Sequence, residues 1–210
     1  MKALIYKDFE SYKKYYIGMA LFFVAFGIYM RYSTGSFIYL SAIFFLMVFM
    51  TSTMSISIDE QGGVYKFIFT APIQKKQYVL SKYLPGIILG ILGAISTFFV
   101  VKNTMGLSLE LSLLFSVVAM GISLIMLNII TPILLKFGPN KGRLVMLVLY
   151  IAIFSMISNF DNLLEEALKI FNKMESVPPV VLAIILFVAI VIITGISIIS
   201  SVKIVEKKEF

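Results

Sequence analysis

The chain has 210 residues, 60% of them apolar and 14% charged, with a net charge of +7 and a mean hydropathy of +1.00. Water-soluble domains average ~45–50% apolar and ~25% charged residues, so this composition excludes an ordinary soluble enzyme. Neither Cys nor His occurs, which removes disulfides, thiolate nucleophiles, Cys-ligated metals and the usual near-neutral proton shuttle.

Residues 1–16 place Ile5, Phe9, Tyr12 and Tyr16 at steps of four, three and four, with Lys2, Lys7, Lys13 and Lys14 pointing elsewhere. That spacing predicts an amphipathic helix on the inner leaflet; a basic flank that only fixes topology would not require it. Apolar blocks at 15–30 and 37–58 read as the first two membrane spans, since helices are what carry such runs across hydrocarbon without unpaired amides. The next segment, 59–82, is the most informative. Asp59 and Glu60 end the second span, Gly62-Gly63 breaks the helix, and Pro72 suits the first turn of a new one. There Ile73, Tyr78, Val79 and Leu80 alternate with Gln74, Lys75, Lys76 and Ser81 as a short amphipathic helix. A connection this long with two apolar patches predicts a docking surface for a cytoplasmic partner; the other reading is helices resting on the lipid interface.

The third span, 83–101, carries Gly86, Gly90 and Gly93, a small-residue stripe that serves either a protomer interface or packing within one bundle. The fourth, 111–135, brings Ser116, Asn128 and Thr131, which with Ser55 of the second span are candidates for a polar translocation path. Such hydroxyls more often bond their own helix backbone. Asn128 stands out because Pro132, four residues on, frees a carbonyl; this predicts a kink first and a substrate contact second. After it come Lys136-Phe137-Gly138 and Lys141-Gly142-Arg143, with Pro139-Asn140 read as a tight turn. A fifth span at 144–160 leads to an external segment, 159–175, whose Asn162 and Glu165 have capping-box spacing for a short surface helix. The sixth span is 178–202.

The predicted fold is therefore a single all-α domain, 1–210, a polytopic membrane protein of six spans with an interfacial N-terminal helix and a short cytoplasmic helix. Of the 18 Lys and Arg residues, all but Arg31, Lys102, Lys169 and Lys173 fall on the side of the termini, which places both termini in the cytoplasm. No charge sits in the middle of a span, so an ion-coupled carrier lacks its intramembrane relay. No G-x-x-x-x-G-K-[ST], G-x-S-x-G or H-E-x-x-H motif occurs, so no catalytic, cofactor or metal site is expected in this chain. The basic residues form no nucleic-acid surface.

The order acidic pair, glycine break, apolar stretch, Pro-Ile, Lys-Lys and Ser-Lys-Tyr-Leu resembles the ABC-2 type permeases of ABC transporters. Glu60, Pro72, Ile73, Lys75, Lys82 and Tyr83 match that loop, while Ala71 and Gln74 depart from it, the latter removing an expected N-cap. The run from Lys136 to Arg143 resembles the second cytoplasmic loop of the same family. The resemblance implies a permease subunit of a bacterial plasma-membrane ABC exporter. A separate P-loop ATPase holding ATP and Mg2+ would seat against a coupling helix, with Glu60, Pro72, Ile73, Lys75, Tyr78, Val79, Leu80, Lys82, Gly138 and Arg143 as coupling residues. It further implies a homodimeric or heterodimeric permease partner and, as cargo, amphipathic or antimicrobial peptides. A non-transporting membrane scaffold or sensor that recruits a cytoplasmic partner needs the same loop and is the alternative.

Overall fold

The computed structural model describes residues 2–34, 39–61, 63, 74–157 and 177–207. The described residues form five helices, α1 (Lys2–Thr34), α2 (Tyr39–Gln61), α3 (Lys75–Met105), α4 (Leu109–Ile157) and α5 (Pro179–Lys207), and no strand. Ile43–Glu60, Lys75–Met105, Leu109–Gly142 and Pro179–Lys207 are each long and apolar enough to cross a bilayer. The protein is a polytopic helical membrane protein. The predicted external helix, 159–175, and the segment containing Ala71, Pro72 and Ile73 lie outside the described residues, except that Val177 and Pro178 lead into α5.

Two boundaries expected from the sequence are absent. The N-terminal helix and first span run together as α1, because nothing between Lys2 and Ile17 is Gly or Pro and no breaker interrupts the ladder. The side chains of Ile5, Phe9, Tyr12 and Tyr16 lie outside the described residues; Leu4 and Asp8 form the buried face there. Likewise the predicted coupling helix and third span are one helix, α3. Its buried residues, Val79, Lys82, Tyr83, Gly86, Gly90, Gly93, Thr97, Val100 and Val101, recur every three or four positions as an unbroken stripe. The helix begins after Gln74, whose backbone is extended and whose side chain makes no cap bond, as the missing hydroxyl implies.

α4 is the centre of the bundle, packed against α5, α3 and α2. Leu124, Leu127, Ile130, Leu134 and Leu135 supply its part of the core, joined by Val48 and Ile56 of α2, Tyr78, Val79 and Tyr83 of α3, and Ile190 and Val205 of α5. The glycines of α3 let these helices approach closely. A Cβ on Gly86 or Gly90 would meet Leu127 or Leu124 of α4 at 2.8 and 3.1 Å, and one on Gly93 would meet Phe44 of α2 at 2.8 Å. Of the two readings of this stripe, packing inside one chain is the one these contacts satisfy. Outward-facing Ile184, Ile185, Val188 and Ile192 of α5 and Leu21, Val24 and Ile28 of α1 are left for lipid or another subunit.

α4 turns sharply at Gly138, where φ is 75° and ψ 166°. Only glycine adopts that backbone readily. The tight turn expected at Pro139-Asn140 is therefore one residue earlier: both residues are helical, with Pro139 at the start of the second arm, where its missing amide costs nothing.

Candidate functional site

At one end of the bundle, charges from three helices converge. Lys82 of α3, its side chain 1% exposed, lies 2.8 Å from Asp8 Oδ2 of α1 and 2.5 Å from Asp59 Oδ2 of α2. Its Nζ also donates to Ser55 Oγ at 2.8 Å, and Ser55 in turn donates to Asp8 Oδ2 at 3.1 Å. Tyr78 OH donates to Asp59 Oδ2 at 3.1 Å. Lys7 completes the set at 2.6 Å from Asp59 Oδ1 and 3.1 Å from Asp8 Oδ1. The second of these is an ion pair without hydrogen-bond alignment, so Asp8 Oδ1 is held by charge alone.

Two lysines balance two aspartates, and that balance is what makes the cluster tolerable at such depth, because an unpaired buried ion is costly. Burial works against the Lys7 charge, but the hydrogen bond and charge of Asp59, then Asp8, outweigh it and hold the ammonium above the ordinary lysine value of 10.5. Its contribution to stability is accordingly full below 10.5 and is lost only as pH climbs past the raised value.

Neighbouring acid Glu60 turns the other way. A Cβ on Gly138 would sit 2.5 Å from Glu60 Oε1 and 2.7 Å from Oε2, so the carboxylate lies directly over the bend of α4. The acidic pair is thus divided, Asp59 tying α2 to α1 and α3 and Glu60 abutting α4. Lys75, in the first turn of α3, donates to the Glu206 carbonyl at 3.0 Å, a cation on the C-terminal end of α5. All five helices meet here.

Inside the bundle a second network links α3, α4 and α5. Pro132 cannot donate to the Asn128 carbonyl, and Ser197 Oγ of α5 donates to it instead at 2.7 Å. Asn128 Nδ2 donates to Thr194 Oγ1 at 2.9 Å, and Tyr83 OH bridges Ser197 Oγ and Ser201 Oγ at 2.7 and 2.8 Å. Asn128 Oδ1 and Thr131 Oγ1 are buried and have no partner among the described residues. Ser197→Ala removes two of these bonds and is expected to lower stability by about 1–2 kcal/mol, since interhelical bonds in membrane proteins average ~0.6 and reach ~1.7 kcal/mol. Thermal unfolding in detergent measures it. Ser116→Ala is the near-neutral control, because Ser116 bonds the Leu113 carbonyl of its own helix at 2.7 Å and no other described residue.

Of the residues proposed as a translocation path, Asn128 and Thr131 lie on the α4 face near this network, Ser116 serves its own backbone, and Ser55 belongs to the ion cluster. They do not form one site. Among the coupling candidates, Glu60 and Gly138 are brought together. Tyr78, Val79 and Lys82 are turned inward at 0, 0 and 2% exposure, so the partner-facing apolar patch expected of them is spent within the chain, on the cluster and the core. Gln74 and Lys76 stay exposed and Lys75, Gln77 and Leu80 partly so. Pro72, Ile73 and the Arg143 side chain lie outside the described residues.

Asp8 and Ser55 are the partners that sequence reasoning left out of this cluster, and Asp59 was read only as a helix end. A signal existed: Leu4 with Asp8, Ser55 with Asp59 and Tyr78 with Lys82 are each four residues apart, and each puts a charge one turn along a face that carries an apolar or hydroxyl group. Among the described residues no group of acidic side chains, His or Cys can hold a metal ion.

Helices bound at one end by charge and in the middle by hydroxyls define a membrane-embedded helical protein. The chain matches the ABC-2 family transporter proteins over residues 3–206, nearly its whole length, and belongs to that family. Neither the curated proteins nor the solved structures contain a match. Membership makes the chain a membrane subunit of an ABC transporter and implies partnership with a cytoplasmic ATPase, normally a separate chain.

Proposed function

We propose that this chain is the permease subunit of an ATP-driven bacterial exporter, with six spans, both termini cytoplasmic and its ATPase supplied in trans. The fifth and sixth of these spans are the second arm of α4 and α5, and the first is residues 15–30 of α1. The observation that carries the reading is the convergence at the head of α3. Lys82 ties that segment to α1 and α2, and Lys75 ties it to α5. Through Asp59 and Glu60 the same end of α2 reaches the bend of α4. Movement imposed on Gln74 to Leu80 by an ATPase is delivered to every helix, because the links are short and few and those of Lys82 are buried. The ATPase docks on the exposed Gln74 and Lys76, with Leu80 at the edge.

ATP and Mg2+ bind to the ATPase, and two permease chains, identical or related, enclose the route. The cargo is an amphipathic peptide, as the family resemblance implies, moved outward. Lys76→Glu reverses a charge at an exposed position and is expected to leave folding unchanged while lowering ATPase recovery about tenfold on co-purification, the effect of losing one charged contact at an interface. Full recovery of the ATPase with this variant and with Leu80→Asp removes the docking surface from the head of α3. Stimulation of the assembled ATPase by an amphipathic peptide separates an exporter from a scaffold that merely recruits a partner.

A further inference from the structure

Among the described residues, helices α1 and α2 approach each other near both ends. Near one end Ser55 meets Asp8 at 3.1 Å. Near the other, a Cβ on Gly27 would lie 3.7 Å from Ile43 Cδ1. Between these points lies a groove of about 450 Å³, within the ~300–1,000 Å³ range of small-ligand sites. Its two walls are matched ladders. Gly18 and Phe22 follow Lys14 at four-residue steps on α1, and Leu46, Met50 and Met54 do the same on α2, running the opposite way, so that Lys14 stands at the Met54 end. Gly18 forms the floor: a Cβ there meets nothing within 4 Å. Tyr15 flanks the mouth.

The slot runs along the helices for two turns, about 12 Å, and is apolar except for one cation at the end nearest the ion cluster. Among the described residues no carboxylate pairs with Lys14, and Lys13 beside it is exposed too. Methionine walls adapt to a flexible chain without a fixed shape. A long, narrow, apolar slot parallel to the bundle with an ammonium at the headgroup end is complementary to one molecule type abundant around such a protein. We propose that this groove binds an acyl chain of an anionic phospholipid from the leaflet on the side of the ion cluster, with Lys14 holding the phosphate. The lipid fills the groove between α1 and α2 and braces α1, whose described contacts are Leu4 in the core, the ion cluster and the Gly27 contact.

The test uses the full chain purified in detergent, exposed to phosphatidylglycerol or phosphatidylcholine, with retained lipid read by native mass spectrometry. The expected result is one retained phosphatidylglycerol per chain in preference to phosphatidylcholine. Lys14→Gln lowers that preference about fivefold, the worth of one lysine near an anionic headgroup. Gly18→Leu fills the slot and abolishes retention while leaving unfolding in lipid-free detergent unchanged, since the new side chain enters open space. Equal retention of the two lipids by the parent chain overturns the proposal, as does undiminished retention by Gly18→Leu. Because the chain has no Cys, Gly18→Cys adds a unique thiol; disulfide-linked dimers through it in native membranes assign the groove to a second copy instead, and likewise overturn it. None of these readouts involves an ATPase, so the outcome is independent of the transport reading.

Discussion

Lys82→Met is expected to destabilise the protein by about 3–5 kcal/mol, the cost of removing one partner from a buried ion pair. It leaves Asp8 and Asp59 facing each other with Lys7 alone to balance them, where Lys82 now stands 2.8 and 2.5 Å from the two carboxylates. The low dielectric that makes the intact arrangement strong makes the surplus charge severe. Lys82→Met combined with Asp8→Asn restores neutrality and is expected to recover most of the loss, a non-additivity that a double-mutant cycle in thermal unfolding measures directly. Asp8→Asn alone carries the opposite surplus and is destabilising in its own right. A Lys82→Met protein as stable as its parent shows that water reaches the cluster and screens it, and the cluster then has no organising role.

Gly138→Ala is the second large effect. The residue has φ 75° and ψ 166°, in the region nearly reserved for glycine, so alanine costs about 1–3 kcal/mol in backbone strain alone. The added Cβ also falls 2.5 Å from Glu60 Oε1, so the carboxylate must leave its place over the bend. Glu60→Ala in the same chain removes the collision but not the strain; the expected order of stability is parent, double variant, Gly138→Ala. Unfolding temperatures of the three proteins check it. Equal stability of Gly138→Ala and the double variant shows that Glu60 moves aside at no cost, and the junction between the second and fourth helices loses its significance.

Membrane class and helical architecture were legible because apolar blocks of about 20 residues admit few other solutions. The carbonyl freed by Pro132 was legible, but its expected partner, the Asn128 amide, bonds Thr194 instead, and Ser197, on a helix remote in the chain, takes the carbonyl. Helix continuity was misread for a physical reason. Charge gaps mark where a chain meets headgroups, not where a helix stops, and neither Lys14 nor Lys82 is a helix breaker, so α1 and α3 run through both. The ion cluster was hidden for a related reason: a charge at the end of a span reads as a topology signal, and only three-dimensional packing shows that Asp8, Asp59 and Lys82 turn toward one another. Tyr78 and Val79 were placed on a partner-facing surface because an amphipathic helix has an apolar face; the apolar face is used, but by this chain's own core. Glu60 and Gly138 were each singled out, with no means of seeing that they touch.

The charge balance of the cluster has a bearing on biogenesis. Asp8 and Asp59, on α1 and α2, leave the ribosome before Lys82, which arrives on α3. Until it does, the cluster's buried carboxylates, Asp8 and Asp59, have only Lys7 of its two ammoniums as partner, so the two helices hold a local deficit that the next insertion event closes. The hairpin therefore matures only when its successor enters the bilayer, and α1, α2 and α3 form one cooperative unit of assembly rather than a hairpin to which a third is later added.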